Sequence, residues 1–253
     1  MNITRASSWK DLNKWQLEEV VELYLHLTEE NYKSTLKQFV TLILQEKKGF
    51  FSRIKYRSLK RKAPISSFYK YVKFLLDPPN LYSFPDLPGL KKPTDKMTDL
   101  TIKQYGIMDQ FFHAWITTKN DNFLKALVAS IYRIDSSFDE ENITLISERV
   151  NKLTKKERQV IGFIYMSCNH YIGDSFPDVF PKVKESEKKK KKIPNPFKHK
   201  PFSEVIINVA MHEQQPLGNL HESNKTKIFE FMNVLTKIVI NQERLRKEYE
   251  KSK

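Results

Sequence analysis

Between Leu153 and Ile172 the chain reads LTKKERQVIGFIYMSCNHYI, and this stretch restricts the fold more than any other. Thr154 and Glu157 stand at capping-box spacing just ahead of its longest apolar run. After a polar first turn of Lys155, Lys156 and Arg158, the residues Val160, Ile161, Phe163, Ile164, Tyr165, Met166, Cys168, Tyr171 and Ile172 cover more than one helical face. Such a helix is packed on several sides. The spacing therefore predicts a central helix with Val160, Ile164, Cys168 and Tyr171 buried, inside an all-α, multi-helix bundle.

Glycine usage agrees. The chain has 6 Gly against 12 Pro, 17 Phe and 11 Tyr, so it is poor in the residue that tight hairpins and phosphate loops use. One main body is expected from the 253 residues. Cys168 is the only cysteine, which excludes an intramolecular disulfide and a cysteine-based zinc site and fits a reducing compartment. The opening MNITRASSWKDLN has no apolar core of a signal peptide, and no run approaches the roughly 20 apolar residues of a membrane span. A soluble, unexported protein with no membrane partner is expected.

The N-terminal 48 residues read as an antiparallel helical hairpin. Asn13 is the N-cap of the first helix, with Gln16 at the third position and Leu12 facing Leu17; Thr28 and Asn31 start the second, expected to bury Tyr32, Leu36, Phe39, Val40, Ile43 and Leu44. Ser66 to Leu76 reads as a short helix stopped by Pro78 and Pro79. Residues 77–98, with Pro78, Pro79, Pro85, Pro88 and Pro93, read as a Pro-rich connection and the main hinge.

After that connection the N-terminal pattern returns, with Thr101 as N-cap, Gln104 at the third position and Leu100 against Tyr105. The shared string is x-x-D-L-[NT]-x-x-Q, which reads as one good helix start used twice. Helices through Tyr105 to Trp115 and Phe123 to Tyr132, and another from Asp139, lead into the central one. A short helix over 203–212 and a long one from Ser223 to about Tyr249 close the chain, the latter on a heptad seam of Ile228, Phe231, Leu235, Ile238, Leu245 and Tyr249 broken by Gln242. That seam is expected to pack mostly on its own core. The organisation is thus 1–76, hairpin plus basic segment; 77–98, Pro-rich connection; 99–182, central helical core; 183–202, Lys- and Pro-rich flexible linker; 203–253, C-terminal helical region.

Charge is concentrated, not spread. The net charge is +14, of which residues 50–76 carry +8 with no acid and residues 173–202 carry +5. Within residues 50–62, Arg53, Lys55, Arg57, Lys60, Arg61 and Lys62 interleave with Phe50, Phe51 and Tyr56, a composition for stacking on bases and neutralising phosphates. Lys188, Lys189, Lys190, Lys191 and Lys192 form an uninterrupted run. These eleven basic residues are the candidate contacts to nucleic acid or to an acidic partner. The bland reading is a solvated amphipathic element followed by a flexible linker.

Catalytic patterns are missing. There is no G-x-S-x-G, P-loop or G-x-G-x-x-G, so no catalytic or cofactor-binding residue is assigned. His26, His113, His170, His199, His212 and His221 show no metal-ligand spacing. Cys168 and His170 are two apart and would face different sides of a helix, so Cys168 reads as buried and inert. A non-enzymatic protein without cofactor or metal is expected.

Several strings together resemble a group of largely uncharacterised proteins encoded in phages and prophages of Bacteroidetes-type bacteria, commonly near tail genes. They are SSWKDLNKWQL, DLTIKQYGIMDQFF, DNFLKALVASIYR, SERVNKLTKKERQVIGFIYMSCNHYIGDSFPDVFP and VIINVAMHEQQPLGNLHESNKTKIFEFMNVL. The lysine-rich insert departs from that group. The resemblance implies a role in virion morphogenesis, similar to tail-assembly chaperones, with phage tail proteins as partners. It also implies the cytoplasm of the bacterial host, or association with the virion, as location. The alternative is a nucleic-acid-binding accessory protein using residues 50–62 and 182–200.

Overall fold

The computed structural model describes residues 6–45, 49, 64–181 and 201–252. Among them every regular element is helical, and the fold is an all-α multi-helix bundle. The helices are α1 Lys14–Leu25, α2 Tyr32–Leu44, α3 Ile102–Thr118, α4 Asp121–Ile131, α5 Ile143–Val150, α6 Lys155–Ser175, α7 Phe202–Ala210, α8 Leu220–Lys225 and α9 Ile228–Lys251, with short 3-10 turns between some of them. The chain divides into two compact units, Met1–Leu81 with Leu153–Ser167, and Tyr82–Lys152 with Cys168–Lys253. One cut, between Leu81 and Tyr82, falls within the Pro-rich connection 77–98, whereas another runs through α6, the stretch singled out above. Residues 183–200 of the lysine-rich linker and the basic segment 50–62 lie outside the described residues, and Phe202, read as the last linker residue, is buried at the start of α7.

In the first unit α1 and α2 form the hairpin, and α2 packs on the 3-10 segment Ile65–Tyr71. Residues 66–76 are 3-10 turns, not the regular helix their spacing suggests. The N-terminal part of α6 completes this core. Its capping box is present: the Thr154 N–H and hydroxyl donate to Glu157 Oε2 at 2.9 and 3.0 Å, and the Glu157 N–H donates to Thr154 Oγ1 at 3.2 Å. Phe163 lies under Trp9 and Tyr24, with ring centroids 4.8 and 5.1 Å away. Arg158 to Tyr165 are all buried, as a helix packed on several sides requires. Lys14 bonds Glu157 at 2.6 Å, and Lys156 bonds Glu19 at 2.7 Å and Glu22 at 2.9 Å, joining α6 to α1 along their solvent edge. Tyr32 departs from expectation: it is exposed, and Thr35 takes the buried position in the first turn of α2.

The second unit is built on the α3–α4 hairpin, with α5 against α4 and α7, α8 and α9 against α3. Residues 82–98 are packed within it. Phe84 and Met97 are buried, the Tyr132 hydroxyl donates to Pro85 O at 2.7 Å, and Lys91 pairs through its backbone with Arg133. Lys96 and Met97 both have positive φ, 61° and 62°, which non-glycine residues adopt only when held. Asp99 holds them: its carboxylate accepts from the Thr94 N–H and hydroxyl at 2.8 Å and from the Arg133 guanidinium. The C-terminal part of α6 buries Cys168 and Ile172 here and leaves Tyr171 half-buried.

One construction occurs in both units. Gln16 Nε2 donates to Leu42 O and Gln45 O at 3.1 and 3.2 Å; Gln104 Nε2 donates to Ser130 O and Ile131 O at 2.8 and 3.2 Å. Each glutamine is thus a buried clamp from the first turn of one helix to backbone carbonyls at the end of the next, of which Leu42 O also accepts from the Gln45 N–H. At a constant offset of 88 positions, with no gap, the buried residues Trp9, Leu12, Gln16, Val20, Phe39, Val40, Ile43 and Leu44 correspond to the buried Met97, Leu100, Gln104, Met108, Leu127, Val128, Ile131 and Tyr132. The correspondence reaches far beyond the helix starts. The chain builds the same hairpin twice.

Candidate functional site

The clearest surface feature is in the second unit. Gly106, Ile107 and Gln110 of α3, Ser203, Ile206 and Ile207 of α7, and Leu220 and Asn224 of α8 line an open cleft of about 250 Å³ whose remaining walls are Lys103 and Glu140. Gly106 sets the floor, because a β-carbon there would come 3.3 Å from Ile206 Cδ1. Its absence lets α7 lie close on α3. Asn219 opens α8 with a full capping box, its side chain accepting from the His221 and Glu222 N–H groups at 2.9 and 3.1 Å. Gly218 at φ 72° makes the turn before it, leaving room for the Glu222 carboxylate that caps Asn219 N–H at 2.9 Å. Lys103 and Glu140 pair at 2.9 Å on the rim.

The cleft is bordered by large apolar side chains left in solvent. Ile207 is 42 %, Leu220 44 % and Met211 78 % exposed, and Ile207 and Met211 are one turn apart on one side of the chain. Small-molecule sites are generally about 300–1,000 Å³ and mostly enclosed. A smaller, open cleft with an apolar border suits one or two inserted side chains of another protein.

A second exposed surface is the end of α9. A two-residue bridge pins where this helix begins, with the Ile102 N–H donating to Thr226 O at 2.8 Å and the Ile228 N–H to Leu100 O at 3.0 Å. The bridge also breaks the expected long helix from Ser223 into α8 and α9. Ile228, Phe231, Met232 and Leu235 are buried, whereas every residue from Ile240 to Ser252 is exposed, including Leu245 and Tyr249. The heptad seam packs on its own core only in its first two turns.

Arg53, Lys55, Arg57, Lys60, Arg61, Lys62 and Lys188 to Lys192 lie outside the described residues. Cys168 is buried with its Sγ 3.9 Å from Tyr82 O, and burial pushes its thiol up to about 12, leaving essentially no thiolate nucleophile at neutral pH. His170, on the same helix, is exposed. Among the described residues no three His, Cys, Asp or Glu side chains are grouped to hold a metal ion, and no helix is long and apolar enough to cross a membrane. The sequence reading missed the cleft, whose walls come from four separate segments. Its one local signal was the apolar run VIINVAM, too continuous for a helix with only one buried face.

No protein family, curated protein or solved structure matches the chain.

Proposed function

We propose that this chain is a non-enzymatic phage tail assembly or structural protein that acts through protein–protein contacts. The observation that carries the reading is the cleft between α3, α7 and α8 with its exposed Ile207, Met211 and Leu220. A partner helix laying an apolar side chain into such a groove would bury these residues, the usual way a helix-in-groove contact gains its affinity. The phage tail is named as the setting because of the sequence resemblance. In that setting the protein works in the host cytoplasm, holding a tail component until it polymerises, or stays with the virion.

Co-expression of a tagged chain with its neighbouring gene products tests this. The expected result is one tail protein retained through purification. Retention of none, or binding of DNA or RNA at sub-micromolar affinity in about 0.15 M salt, where exposed charge contacts are already screened, would overturn it.

A further inference from the structure

The exposed end of α9 has a pattern that names its partner. Ile228, Phe231, Leu235, Ile238, Gln242, Leu245 and Tyr249 alternate steps of three and four residues, the spacing of a two-stranded coiled coil. The first three are buried in the second unit, Ile238 is half-buried, and the last three are exposed. A single stripe therefore leaves the body and continues into solvent over roughly 18 Å of helix between Ile240 and Lys251. Contacts within the helix run along it there, Arg246 to Glu250 at 2.9 Å, Arg244 to Glu248 at 3.8 Å and Arg244 to Asn241 Oδ1 at 3.1 Å. Such pairs are weak, and an isolated helix of this length is marginal in water.

We infer that α9 pairs, parallel and in register, with α9 of a second copy of this chain. Gln242 decides the occupant. It sits at a seam position between Ile238 and Leu245, where an apolar partner helix would bury its amide without a hydrogen bond. In a parallel, in-register pair Gln242 meets its own counterpart, and the carbonyl of one amide accepts from the NH₂ of the other. A polar residue at one such position is a known device for fixing register and strand number. On the flanks, Asn241 of one strand comes beside Arg246 of the other, an acceptor beside a cation, although within one chain Asn241 accepts from Arg244 and Arg246 pairs with Glu250.

The seam beyond the body is only about two heptads long, so the contact buries on the order of 1,000 Å² in total, the lower bound of specific interfaces. A seam this short makes the dimer a reversible one. The inference goes beyond the assembly reading, because it concerns the end of α9 and not the cleft between α3, α7 and α8.

The test uses the full chain, in which the buried Cys168 is a silent background for introduced cysteines. Gln242→Cys is expected to form a disulfide-linked dimer under a mild oxidant at about 100 μM, at least about tenfold faster than Lys247→Cys on the outer face. Sedimentation should show the wild type passing from monomer to dimer over about 1–300 μM, and Leu245→Asp remaining monomeric with unchanged circular dichroism, since Leu245 is exposed in the single chain. A wild-type monomer at every concentration, or equal cross-linking at both positions, overturns the inference. If that monomer still captures a tail protein, only the dimer falls. If a dimer captures none, only the assembly reading falls.

Discussion

Replacing Gln104 by Leu probes the construction that the two units share. The side chain is fully buried, and its Nε2 holds Ser130 O at 2.8 Å and Ile131 O at 3.2 Å. Leucine fills most of the same volume, so the change removes hydrogen bonds more than packing. Two buried carbonyls at the end of α4 lose a donor, each worth about 1–3 kcal/mol when left unsatisfied. Against that, Gln104 Oε1 is itself buried without a hydrogen-bond partner, and its removal recovers part of the cost. A net loss of about 2–3 kcal/mol follows, or about 5–10 °C in Tm for a chain of this size. Gln16→Leu should cost at least as much, because Gln16 Oε1 also accepts from the Asn13 N–H and side-chain amide at 3.2 and 2.9 Å. Urea unfolding followed by circular dichroism measures both, and amide exchange should quicken in the last turn of α4 in Gln104→Leu. A loss below about 0.5 kcal/mol for Gln104→Leu would show that the clamp is incidental to the stability of the hairpin.

Three further perturbations address the scaffold. Ile164→Asp places an unpaired carboxylate in the core of the first unit and should cost more than about 4 kcal/mol, enough to prevent soluble folding; an unchanged Tm would remove α6 from its central position. The bond from Lys14, helped by the Thr154 N–H, holds the Glu157 carboxyl at about 2, below its ordinary 4.5. Its contribution is therefore complete above about pH 4.5 and lost as pH falls toward 2, so the stability gap between wild type and Glu157→Gln, about 1 kcal/mol at pH 7 for a cap with a solvent-exposed ion pair, should close over that interval in acid titrations. Gly218→Ala must strain a backbone at φ 72° and bring a β-carbon within 2.1 Å of Glu222 Oε2, so α8 should loosen, with faster exchange of the His221 and Glu222 amides.

Local signals in the sequence proved readable, and tertiary ones did not. The caps at Asn13, Thr101 and Thr154 were legible because a capping side chain and the N–H it accepts from lie within three residues. The burial of α6 was legible because its apolar residues exceed one face. The glutamine clamps were not, since their acceptors lie 26 or more residues away and the same glutamine spacing also satisfies a simple capping box. The break between α8 and α9 at Thr226 and Lys227 has no Gly or Pro to mark it. Backbone pairing with Leu100 and Ile102 produces it. The exposure of Leu245 and Tyr249 was hidden for the opposite reason: a heptad stripe looks the same whether it meets its own core or another chain. The cleft depends on Gly106 and on turns at Gln215 and Gly218 that bring α7 and α8 to α3, a juxtaposition no local pattern encodes.

The proposal that the second unit works through its exposed apolar surface is tested most directly by a double variant, Ile207→Glu with Leu220→Asp, in the co-purification with neighbouring gene products. Each side chain is a little under half exposed in the single chain, 42 % and 44 %, so circular dichroism should stay at the wild-type value and Tm fall by only a few degrees. Capture of the tail protein should fall at least about tenfold, because two desolvated carboxylates would have to enter the contact. A folded double variant that retains its partner at the wild-type level would contradict the account.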